Sequence, residues 1–136
     1  MPKGRQAPQV KRQKLPCRQL FGDLPLLLSS VTDEERCFFK EWCSSRNVGE
    51  NYMVVAITYW LRCKSHAYAS FFKFPEAKKI YLILCIHLTL KYMGYQEVYK
   101  CDFLADLREV YPAMTAAKHE EMEWELFRYL NFDLGS

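Results

Sequence analysis

No apolar run in this sequence approaches the roughly 20 residues that a membrane-crossing helix needs. Leu24-Pro25-Leu26-Leu27-Leu28 is also too short for a signal-peptide core, and no small-residue cleavage pattern follows it, so a soluble, non-secreted protein is expected. Glycine and proline are scarce (five and six) and fall mostly outside the periodic segments. There is no glycine-rich phosphate loop, no nucleophile elbow and no paired-histidine motif, which argues against an enzyme. No segment alternates with period two, which argues against strands. Residues 1–18 hold no acid at all.

What is present is apolar bulk. Half of the 136 residues are hydrophobic and 15% are aromatic, enough for one domain with a proper core. Six cysteines, at 17, 37, 43, 63, 85 and 101, are irregularly spaced and mostly inside predicted helices, as reduced core thiols would be. Cys63-x-x-His66 and Cys85-x-His87 invite a zinc site, but no second metal-binding pair completes either, so no metal or cofactor is expected. Lys3, Arg5, Lys11, Arg12, Lys14 and Arg18 make the tail basic and leave the remainder with 13 basic and 16 acidic groups. Such a tail suits nucleic acid, lipid or a nuclear import receptor, and equally a solvated arm.

Residues 1–16, with three prolines and no aromatic, read as a disordered basic tail, and residues 17–31 as a connector. Thr32-Asp33-Glu34-Glu35 is a helix start, a capping residue followed by acids at the positive helix end. That first helix runs through Phe38, Phe39 and Trp42 to Ser44-Ser45. A second fits Glu50 to about Ser65, with Tyr52, Val55, Ala56, Tyr59, Trp60 and Cys63 as its stripe. After a loop with Phe71, Phe72 and Phe74, Pro75 opens a third that Gly94 closes. From Ile80 to Leu90 this third helix is apolar on every side and should be central. A fourth fits Lys100 to Val110, broken by Tyr111-Pro112, and a fifth runs from a Thr115 cap to about Leu130. The expected fold is all-α, five helices packed around a buried third, in one domain over residues 32–134.

Two residues stand out chemically. His87 shares a face with Ile80, Leu84 and Lys91 and reads as a satisfied core histidine, whereas His66 and His119 read as surface residues. Lys91 closes the greasy third helix. A buried ammonium is costly unless paired, and Glu123, one turn before Leu126 and Phe127, is its natural partner. Snorkelling to solvent is the other reading.

Lys91-Tyr92 at the end of a long apolar helix, then about thirty residues, then Met122-Glu123 leading to Leu126, Phe127, Leu130 and Phe132-Asp133-Leu134, resembles the cyclin box. Glu41-Trp42 falls where cyclins carry Asp-Trp, and Ala56, Tyr59 and Arg62 follow their Ala-x-x-Tyr-x-x-Arg. The resemblance implies a five-helix cyclin box and a non-catalytic subunit that binds and activates a cyclin-dependent protein kinase through the third and fifth helices. It implies that Lys91 and Glu123 hydrogen-bond the kinase backbone beside its mobile C-helix, with Tyr92, Phe103, Leu107 and Phe127 as candidate contacts. Departures are visible. Met93-Gly94 replaces the usual glutamate pair, resembling the single-box activators of the neuronal kinase. Arg36 matches the cyclin substrate-docking patch, but Glu35 stands for its methionine and Leu61 for the aspartate that pairs with that arginine. Phe38, Phe39 and Trp42 complete the candidate patch.

Cys17-Arg18-Gln19-Leu20-Phe21-Gly22 resembles the cyclin-docking motif of Cip/Kip kinase inhibitors, in which Arg18 meets an acidic rim while Leu20 and Phe21 enter an apolar groove. Another cyclin is therefore a second candidate partner, and an inhibitory or decoy binder the alternative function. Covering this domain's own core is the plainer role for Leu20 and Phe21. A cyclin-fold adaptor with its tail on nucleic acid is a third reading; nucleic acid and membrane are not the expected partners. Lys11-Arg12-Gln13-Lys14 tilts the expected location from cytoplasm toward nucleus.

Overall fold

A computed structural model describes residues 24–67 and 75–131. Their elements are α1 (Leu24–Ser29), α2 (Asp33–Ser45), α3 (Glu50–Ala67), α4 (Ala77–Tyr92), a 3-10 turn (Val98–Lys100), α5 (Phe103–Val110) and α6 (Ala116–Tyr129). Among the described residues there is no strand. The third and fifth helices expected from the sequence are α4 and α6.

The starts and stops have local causes. Thr32 Oγ1 accepts from the Glu35 N–H at 3.1 Å and Glu35 Oε1 accepts from the Thr32 N–H at 3.1 Å, a reciprocal cap that begins α2. Asp102 Oδ1 accepts from Ala105 N–H at 3.0 Å and Thr115 Oγ1 from Lys118 N–H at 3.1 Å, starting α5 and α6. At the end of α4 the chain turns through Gly94 at φ 73°, and the Tyr95 N–H reaches back to the Leu90 carbonyl at 3.3 Å. Arg62 of α3 donates to the Leu130 carbonyl at 3.0 Å, serving one of the acceptors that the end of α6 leaves over.

Every α4 residue from Ile80 to Leu90 is buried. A helix without a polar face must be enclosed, and α3, α5 and α6 all pack on α4, with α3 making the most extensive contact. Both α1 and α2 also pack on α3, and α6 touches both α3 and α4. Trp60, Tyr81, Phe39 and Leu107 are the bulky residues that close the core.

The described residues alone hold six helices, one more than the five expected. Within the segment read as a connector, Pro25 sits in the first turn of α1, where its missing N–H costs nothing, and Leu27 and Leu28 pack on the core. Six residues carry too little periodicity to announce a helix by pattern alone. The fourth predicted helix begins at Phe103 rather than Lys100, because residues 98–100 form the 3-10 turn and Asp102 supplies the cap. Phe132-Asp133-Leu134, the tail and the Phe71, Phe72 and Phe74 loop lie outside the described residues.

Candidate functional site

The last turn of α4 and the middle of α6 lie side by side. There Lys91 Nζ donates to Glu123 Oε2 at 2.6 Å. The two side chains keep 27% and 19% of their surface, so the ion pair is set into the molecule with one edge in solvent. Its energetic worth sits between that of a free surface pair and that of a buried one. Phe103, the first residue of α5, lies under the lysine with its ring centre 4.8 Å from Nζ, a cation–π contact that holds the ammonium from a third helix.

Aromatic side chains border the pair. Tyr92 meets Phe127 edge to face at 5.9 Å, leaving Tyr92 57% exposed. Trp124, next to Glu123 in sequence, is 60% exposed. Together with Ala117, Glu120, Glu121, Glu123 and Phe127 it lines an open hollow of about 540 Å³ on α6. Exposed aromatics beside a half-buried charge pair give apolar area and directional bonding at one place, the combination found at binding hot spots. Leu107, by contrast, is fully buried and belongs to the core.

Behind this surface lies a polar network. His87 is completely buried, with Nε2 3.1 Å from Asp106 Oδ2. Its ring lies 4.5 Å from that of Phe103 and 5.9 Å from Trp42. Burial lowers the pKa of His87 below its ordinary value, and the Asp106 carboxylate only partly offsets this. Arg46 reaches Asp106 at 3.4 Å and Glu109 at 2.9 Å, and its guanidinium covers the Trp42 ring at 4.0 Å. A cleft of about 260 Å³ lies beside this network, bordered by Trp42, Arg46, Leu90, Tyr95, Asp102 and Asp106. His119, expected at the surface, is half-buried, and burial lowers its pKa as well.

The candidate docking patch is folded differently from an open groove. Phe39 is fully buried and Trp42 is 8% exposed. Phe38 is half-buried, while Arg36 pairs with Asp33 and donates to the Leu28 carbonyl at 2.9 Å, fastening α1 to α2. Arg18, Leu20 and Phe21 lie outside the described residues. Cys63 and Cys85 are buried with their sulfurs 3.9 Å apart, and burial pushes the Cys85 thiol well up, so it stays protonated. Among the described residues no cluster of three or more His, Cys, Asp or Glu side chains could hold a metal ion.

Two features escaped the sequence reading. Glu35 is fully buried between Lys64 and Lys78, each at 3.0 Å. Trp124 was overlooked as a surface residue, although it stands three and four places from Glu121, Glu120 and Arg128 on the polar side of α6. No family model, curated protein or solved structure matches the chain significantly. Over the described residues, fold and site define a helical bundle bearing an aromatic-bordered ion pair.

Proposed function

We propose that this chain is a cyclin-like regulatory subunit that binds a cyclin-dependent protein kinase through the α4–α6 face. The observation that carries the reading is the Lys91–Glu123 pair, formed at 2.6 Å between the two helices that the cyclin resemblance singles out. Pairing fixes both side chains before a partner arrives, which lowers the entropy lost on binding. Their exposed edge offers charge-assisted hydrogen bonds to a kinase backbone. Tyr92, Phe127 and Trp124 add the apolar surface, and preference for the active arrangement of the kinase C-helix would turn binding into activation.

The test is recovery of kinase by the full chain. Lys91→Ala combined with Glu123→Ala should abolish it while helical content and Tm stay near wild type. Removing both partners leaves no orphaned charge, so a stability change of no more than about 1 kcal/mol is expected. Undiminished kinase recovery by the double variant would refute the assignment.

A further inference from the structure

Lys91 and Glu123 each follow a histidine of their own helix by four residues, His87 and His119, so each histidine lies one turn back on the same face. His87 Nε2 faces the Asp106 carboxylate at 3.1 Å. A neutral imidazole so placed carries its proton on Nε2 and leaves Nδ1 as a bare lone pair. Nδ1 is buried, and no group among the described residues hydrogen-bonds to it. A second proton must go there, creating an N–H without an acceptor and a cation without solvent, both of which burial disfavours.

Phe103 joins this histidine to the surface. The same ring lies 4.5 Å from the His87 ring and 4.8 Å from Lys91 Nζ. A charged His87 would repel Lys91 and compete with it for the ring. We infer that His87 is a proton-sensitive positioning residue for the Lys91–Glu123 pair. Neutral, it leaves Phe103 to hold Lys91; protonated at Nδ1, it draws on the same ring, repels the ammonium and loosens the pair.

The charges that face His87 set the sign. Asp106 from α5 favours the protonated ring, but it is shared with Arg46, the residue after α2, which Glu109 also holds. Lys91 of α4 and His119 of α6 oppose protonation. Burial is the largest influence, and the pKa falls below the ordinary 6.5. The neutral ring therefore stabilises the fold fully above about pH 6.5, and this contribution declines as the pH falls below that value. His119 shifts in the same direction and needs its own control.

The inference deepens the reading of Lys91–Glu123 as the contact point, but its test needs no kinase, so either can fail alone. The full chain with 15N-labelled lysine is followed by NMR from about pH 7.5 down to about pH 4.5, which spans the ordinary histidine range and the lower values that burial imposes. The Lys91 ammonium signal is assigned by its absence in Lys91→Arg. Acid slows ammonium exchange and sharpens ordinary lysine signals, so a loss of this signal on acidification is diagnostic. Loss is expected in the wild type, retention in His87→Gln, and loss as in wild type in His119→Gln. Asp106→Asn should move the loss to lower pH, because removing the carboxylate makes the imidazolium harder to form. A merely structural Asp106 would move it higher, so this variant decides the matter even if His87→Gln does not fold. Persistence of the wild-type signal across the range, or loss at one pH in all variants, would overturn the inference.

Discussion

Glu35 keeps its charge with no exposed surface, beside two ammonium groups and the N–H of Thr32. Burial alone would raise its pKa, but Lys64, the Thr32 N–H and Lys78 outweigh it and bring the value down to about 2 from 4.5. A carboxylate with a depressed pKa stabilises the fold above its unfolded value, and that contribution is lost as the pH falls from about 4.5 through about 2. A shift of that size corresponds to up to roughly 3 kcal/mol. Glu35→Gln should forfeit most of it at neutral pH, since Lys64 and Lys78 are a third exposed and can turn to solvent once freed. Urea titrations of wild type and variant between pH 7 and pH 2 would show the gap closing only below about pH 4.5. An equal gap throughout would mean that Glu35 acts through its shape.

Among the elements, α4 shows how much a boundary depends on one residue. Gly94 adopts φ 73°, and a Cβ placed there would meet nothing within 4 Å, so the cost of a side chain is purely conformational. Gly94→Ala should lower stability by about 1 kcal/mol, seen as a fall of roughly 4 °C in Tm. A loss several times larger would show that the turn does more than accommodate its own backbone conformation. The helix ends were legible in the sequence because caps act over three or four residues: Thr32, Thr115 and Gly94 each mark a terminus through near neighbours. The burial of α4 was legible because no polar face interrupts it. By contrast, α1 is too short for periodicity to show. The Glu35–Lys64–Lys78 cluster joins residues 29 and 43 positions apart, a proximity created by packing α2 and α4 onto α3. The Lys91–Glu123 partnership spans 32 residues, and it was hinted at by the cost of leaving a lysine at the end of so apolar a helix and by the resemblance to the cyclin box.

For the molecule as a whole, enclosure of α4 leaves the side chains of α6 and the last turn of α4 to form its aromatic outer face. Trp124 should contribute to partner binding and little to folding, because most of its surface is already in water. Trp124→Ala is expected to change stability by less than about 0.5 kcal/mol. Under the proposed function it should weaken kinase binding by at least about 2 kcal/mol, roughly 30-fold. Titration calorimetry with the purified kinase measures this directly, and unchanged affinity would remove Trp124 from the contact. The unequal exposure of the three tryptophans, 0% for Trp60, 8% for Trp42 and 60% for Trp124, has a spectroscopic corollary. In the native protein, acrylamide should quench emission chiefly from Trp124, whereas Trp60 and Trp42 become quenchable only when the helices separate. One fluorophore type thus gives the chain two independent optical signals, one for occupation of its outer face and one for the integrity of its interior.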